Sequence, residues 1–246
     1  MSIHLSAAFP VDAMMRNQDD PERSALARSG TALTDRTATP DDSLIILEDS
    51  GDPRCDRIRA LRTELLLRRE SPDLCEVIAL LSPCAGEGRS LLAAELAIAF
   101  AQTGRPTLLV DADLRHPQQH LLFNIRHHEG LTHALQQGGQ PTIHRVIGLP
   151  QMSVLAAGIV PNNPLELLSS RRFAALVDGW RERFEFVVID TAPAVRFSDG
   201  LTIAGVAGRV LALSRAQHTP YKDMQDMLRR LAAARSTILG AVISHF

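Results

Sequence analysis

The feature that most constrains this chain is a five-residue apolar run, VIALL at 77–81, that leads directly into Ser82-Pro83-Cys84-Ala85-Gly86-Glu87-Gly88-Arg89-Ser90. A helical pattern follows over 91–102. A buried strand, a glycine-bearing loop and a helix N-terminus, in that order, make a phosphate-binding arrangement. Glycines let the backbone approach an anion, and successive N–H groups with the positive end of the helix dipole stabilise it. On this reading Ala85, Gly86, Glu87, Gly88, Arg89, Ser90 and Leu91 are the candidate phosphate-binding residues, and the Ser90 hydroxyl is placed to ligate Mg²⁺. The usual pattern is GxxxxGK[ST]. Here Pro83 stands at the first glycine and Arg89 at the lysine, so the loop by itself is also compatible with a plain turn capping a helix.

Two later segments strengthen the phosphate-loop reading. In Leu108-Leu109-Val110-Asp111-Ala112-Asp113, two carboxylates at i and i+2 stand where a strand ends, on the same side and close to the first loop. Phe186-Val187-Val188-Ile189-Asp190-Thr191 is a further apolar strand ending in an aspartate, the form of a site that orders Mg²⁺ through water. One aspartate after a strand is ordinarily a turn or N-cap residue. Three of them beside a glycine-rich loop point to a nucleotide site, in which a carboxylate can also serve as base toward an incoming hydroxyl.

The rest of the chain fits that frame. Apolar runs at 77–81, 107–110, 152–156, 186–189, 210–213 and 238–243 alternate with helical patterns such as 91–102, 171–183 and 222–234. Continuous rather than alternating apolar strands, each followed by a helix, predict one α/β domain with a mostly parallel, doubly wound sheet, spanning 51–246. Residues 1–42 hold three prolines, seven acidic and four basic residues without periodicity. They are read as a flexible N-terminal tail over 1–50, in which the brief apolar run at 43–48 suits a short strand or a docking segment. An amphipathic helix is expected over 56–69, with Ile58, Leu61, Leu65 and Leu66 at helical spacing.

Composition then removes other classes. The formal net charge of −2 speaks against a polybasic nucleic-acid or membrane binder. The three cysteines form no CxxC pair, so neither a disulfide framework nor a zinc site follows. No run of 18 apolar residues exists, and the N-terminus lacks the basic and apolar regions of a secretory signal, so a cytoplasmic location is expected. Lys222 is the single lysine and Tyr221 the single tyrosine.

In its ordered motifs the chain resembles the bacterial tyrosine kinases, relatives of the MinD/ParA P-loop ATPases, and within them the EpsG-type branch associated with exopolysaccharide chain-length determinants. The resemblance is carried by SPCAGEGRSLLAAELAIAFAQTG, LLVDADLRHPQQH, PNNPLELL and FVVIDTAPA. It implies ATP and Mg²⁺ as ligands, with Ser90, Asp111 and Asp190 holding the metal, partly through water. It further implies that Arg89, Asp111, Asp113 and Asp190 do the chemistry, with Asp111 as the base toward a tyrosine hydroxyl. The implied activity is an ATP-dependent protein tyrosine kinase regulating exopolysaccharide polymerisation, chain length and export. The alternative is a catalytically weak nucleotide-binding scaffold that assembles the polysaccharide machinery. The implied partner is the cytosolic end of a membrane chain-length determinant, which would hold the protein peripherally at the inner membrane; no nucleic acid is implied. A family signature Glu-x-x-Arg-x-x-Arg, read here as Asp56, Arg59 and Arg62, implies a homo-oligomer interface, although the same spacing also suits a solvated charged face. A partitioning ATPase would carry a further lysine early in the loop, and 82–85 contains none.

Overall fold

Apolar runs that shed water on both faces belong in the middle of a covered parallel sheet, and the structure, a computed structural model, places them there. It describes residues 2–4, 37–47, 51–125, 129–234 and 236–245. In chain order the first elements are β1 (Ser2–His4), β2 (Thr37–Ala38), a 3₁₀ turn (Ile45–Leu47), α1 (Pro53–Leu67), β3 (Glu76–Leu81), α2 (Arg89–Ala101), β4 (Thr107–Asp111), α3 (Gln119–Leu122) and α4 (Leu131–Gln137). They are followed by β5 (His144–Val146), β6 (Leu149–Leu155), α5 (Pro164–Leu168), α6 (Arg171–Arg181), β7 (Phe186–Asp190), α7 (Asp199–Ala207), β8 (Arg209–Arg215), α8 (Tyr221–Ala233) and β9 (Thr237–Ser244).

The nine strands form one sheet in the order β1-β9-β8-β3-β7-β4-β6-β5-β2. Its centre, β9 to β6, is parallel throughout. β1 on β9 and β5 on β6 are antiparallel. Helices cover both faces. One hydrophobic cluster gathers α1, α2 and the 3₁₀ turn against one face, and a second gathers α4 to α8 against the other. The doubly wound α/β fold expected from the apolar runs is the fold observed.

Local chemistry explains the element ends. α1 begins where Asp52 accepts a hydrogen bond from the Arg54 N–H at 2.8 Å with Pro53 in the first turn, a favourable start because proline lacks the N–H that would go unpaired there. α2 is apolar nearly all round because it lies between the sheet and α1, and Phe100 stacks on Phe186 of β7 with centroids 4.0 Å apart. Burial of one such ring contributes about 1.5–3 kcal/mol.

The segment expected as a tail behaves differently where it is described. Thr37 and Ala38 pair with Arg145 and Val146 of β5, and Leu44 and Ile46 are buried in the first cluster. The Gln102 side chain donates to the Ile46 carbonyl at 2.9 Å. The described part of that apolar run, 44–47, therefore docks beside α2 inside the domain. The driving force is burial of Leu44 and Ile46, with Ile45 and Leu47 packed against the same cluster. Residues 5–36 and 48–50 lie outside the described residues.

Candidate functional site

The three strand-end carboxylates converge because of register. In the ladder between β4 and β7, Asp111 is the direct partner of Asp190, and β3 leads into the loop alongside. Two neighbouring carboxylates, both fully buried, disfavour each other's charge. Burial first, and Asp190 second, push the Asp111 carboxyl well above the usual range. Burial also raises Asp113, against the opposing pull of the His116 amide and the Arg89 guanidinium.

Arg89, 7% exposed, is the counter-charge. Its Nε donates to Asp190 Oδ1 at 3.2 Å, one terminal nitrogen to Asp113 Oδ2 at 3.1 Å, and the other to Ser82 Oγ at 2.8 Å. A planar fork with several donors suits three acceptors in a way a lysine could not. The arginine thus binds the base of the phosphate loop to the ends of two strands.

The loop is shaped by its glycines. Gly86 and Gly88 have φ of +74° and +85°, the left-handed region that side chains avoid, and Gly88 caps α2 without a side-chain hydrogen bond to the first helical N–H groups. Glu87 borders the cavity, but its carboxylate is committed to the loop. Its buried carboxylate accepts from the Cys84 N–H at 2.8 Å and from the Thr219 hydroxyl, bracing the loop against the segment after β8. Arg215 donates to the Gly86 carbonyl at 3.1 Å and Ser244 Oγ to the Glu87 carbonyl at 3.2 Å. The neighbouring Cys84 thiol is pushed up to about 11 by burial and by Glu87 and Asp223, so it stays protonated and is no nucleophile at neutral pH.

A cavity of about 420 Å³ opens above this floor. The expected phosphate-binding residues Ala85 to Leu91 line it together with Asp113, His116 and Gln118. Asp111 and Asp190 are not among the lining residues; they lie behind it, fully buried. Asp111 builds the loop after β4. Its Oδ1 accepts from the Asp113 N–H at 3.2 Å and its Oδ2 from the N–H groups of Gln118 and Gln119 at 3.0 and 2.9 Å. Arg115 secures the same loop through a two-point ion pair with the buried Asp199, at 2.6 and 3.1 Å.

The three residues expected at a subunit interface lie on α1, away from this cavity. Asp56 is exposed and pairs with Arg59 at 3.4 Å, whereas Arg62 is half-buried and donates to the Ala99 carbonyl of α2 at 3.2 Å. They do not form one continuous charged face: Arg62 is turned onto the neighbouring helix. The sequence reading missed Gln119 altogether. It is fully buried, and its Nε2 donates at 2.9 Å both to Asp190 Oδ2 and to the Ser90 carbonyl. Only its place shortly after the strand-end aspartates, beyond a proline that turns the chain, could have drawn attention to it.

Among the described residues no three His, Cys, Asp or Glu side chains close into a ready-made metal cage. The donor set is nonetheless suited to a hard cation. Three carboxyls are balanced by one guanidinium, and a divalent charge would offset the burial and the repulsion that raise Asp111 and Asp113. Mg²⁺ in particular retains waters and takes only one or two protein carboxylates.

A parallel sheet with a glycine loop leading into a helix, and aspartates at the ends of adjacent strands, defines a P-loop domain. No protein-family model matches the chain. Tyrosine-protein kinase YwqD of Bacillus subtilis (strain 168) is 31% identical over 204 residues, which cover 82% of this chain and 85% of that protein. Tyrosine-protein kinase ptk of Acinetobacter johnsonii is also 31% identical, over 82% of this chain but 27% of its own length, so this chain spans about a quarter of that relative. Among solved structures, the kinase domain of Escherichia coli tyrosine kinase ETK matches with a TM-score of 0.77 and 26% identity, over 82% of this chain and 79% of that one. The cell division ATPase MinD of Pyrococcus furiosus, at 21% identity and a TM-score of 0.60, shares the fold alone. The chain belongs to the bacterial tyrosine-protein kinase family.

Proposed function

We propose that this chain is an ATP-dependent protein tyrosine kinase that regulates exopolysaccharide polymerisation, chain length and export. The observation that carries the reading is the convergence of Arg89, Asp113 and Asp190 beneath a glycine loop whose residues line one cavity. Family membership supports the choice of reaction. In the transfer, the bond from the γ-phosphorus to the β,γ-bridging oxygen breaks, the phenolic oxygen forms the new P–O bond, and the phenolic proton passes to a carboxylate. Ser90, Asp111 and Asp190 are the residues that would hold Mg²⁺, which when bound neutralises charge on the phosphate oxygens.

The chain's own groups then have distinct tasks. The left-handed glycines and the first N–H groups of α2 bind phosphate oxygens. Arg89 sets the separation of the loop from Asp113 and Asp190. Asp111 is the proposed base. Its raised proton affinity suits that role, and three backbone amides occupy three of its roughly four acceptor positions. No helix among the described residues is long and apolar enough to cross a membrane. The proposed site of action is the inner membrane, at the cytosolic end of a chain-length determinant, and Asp56 and Arg59 remain the proposed contacts between copies of this chain.

The test is to measure ATP binding and turnover with and without that partner's cytosolic segment. The kinase reading expects turnover, raised by the segment, and loss of roughly 10²-fold or more in kcat for Asp111→Asn. ATP binding without turnover in either condition would overturn it in favour of the scaffold.

A further inference from the structure

Gln119 touches all three residues proposed to hold the cation. Its backbone N–H donates to Asp111 Oδ2, and its side-chain amide nitrogen donates to Asp190 Oδ2 and to the Ser90 carbonyl. Both side-chain contacts are acceptors, which fixes the amide: nitrogen toward Asp190 and Ser90, oxygen away. That oxygen, Oε1, is buried and has no hydrogen-bond partner among the described residues. A buried acceptor without a donor is unfavourable, yet the remainder of the residue is tightly bonded. Gln119 also opens α3, whose position depends on the same Asp111 carboxylate.

We infer that Gln119 is the positioning residue of the divalent-cation site, an inference that rests on the nucleotide–cation reading above. Its amide nitrogen orients Asp190 so that Oδ2 is held by Gln119 and Oδ1 by Arg89. Its backbone and side chain together bind the end of β4, the end of β7 and the start of α2 at one separation. Outer partners of metal-binding carboxylates commonly change metal affinity by roughly 10–100-fold when lost, and no short motif marks such a residue in a sequence.

The test is mant-ATP binding to the full chain in MgCl₂ and in EDTA, with the thermal midpoint of each variant measured without nucleotide. Wild type should bind more tightly in MgCl₂. In Gln119→Met, which keeps an unbranched side chain of similar length, that tightening should shrink roughly 10-fold or more, with affinity in EDTA as in wild type. Gln119→Glu, which turns the donor toward Asp190 into an acceptor, should show the same loss. Tightening that survives in either folded variant overturns the inference. So does an equal loss in EDTA and MgCl₂, or loss of the folded state in both variants, since either would assign Gln119 to the fold alone. If wild type itself shows no Mg²⁺-dependent tightening, the nucleotide–cation reading falls too, and that outcome is distinct from failure in the variants alone.

Discussion

Arg89 reaches Ser82, Asp113 and Asp190 from a single buried guanidinium, and this geometry explains why a chain with one lysine can use arginine at this position. An ammonium has its three donors on one nitrogen, whereas the guanidinium reaches these acceptors from three separate nitrogens. Removing the fork leaves two buried carboxylates uncompensated, so Arg89→Ala is expected to cost about 3–5 kcal/mol of stability. Arg89→Lys should cost less, about 1–3 kcal/mol. Urea unfolding without nucleotide measures both, and a midpoint unchanged by Arg89→Ala would contradict the role given to the arginine. The strand-end aspartates were legible in the sequence because strand ends and spacing are local properties. The commitment of Arg89 to them was not, since it depends on the register that sets Asp111 beside Asp190.

At the scale of elements, the helix that follows the phosphate loop is coupled to α1 by a buried charge. Glu95 of α2, 1% exposed, pairs with Arg54 at 3.0 Å, with Asp52 also nearby in charge. Burial outweighs Arg54 and pushes Glu95 up to about 7 from an ordinary value of 4.5. Between those pH values the native state keeps a proton that the unfolded chain has released, so this group makes stability fall as pH rises from about 4.5 to about 7. The size is roughly 1–3 kcal/mol. Glu95→Gln should flatten that dependence, measured as urea midpoints across the same pH range; an unchanged slope would show that Glu95 does not titrate there. Most elements of the central sheet were legible because each strand holds a largely apolar run. The two strands at one end of the sheet were not: β2 has two residues and β5 three, too short to show a period. The apolar run around Leu44 and Ile46 was legible as a docking segment, but its seat beside α2 was not, as burial there is set by the shape of the domain.

For the molecule as a whole, the sheet brings the carboxyl ends of β3, β4 and β7 together, and the proposed reaction draws on all three. The fold and the nucleotide loop could be read from the order of motifs along the chain, whereas the cavity and Gln119 emerge only when separate strands are paired. Ligand binding restricted to the native state stabilises it by mass action, about 2.7 kcal/mol at a hundredfold excess over Kd. A rise in Tm should therefore be larger with Mg·ATP than with ATP in EDTA; equal rises would contradict a cation site formed by Ser90, Asp111 and Asp190. The most direct test of the central claim is phosphoamino-acid analysis after incubation with [γ-³²P]ATP and MgCl₂, using a tyrosine-containing polymer as acceptor. The measurement compares wild type, Asp190→Asn and wild type in EDTA. Phosphotyrosine from the wild type in MgCl₂, lost in the other two arms, is the predicted result; ATP binding with no label on tyrosine would contradict the account.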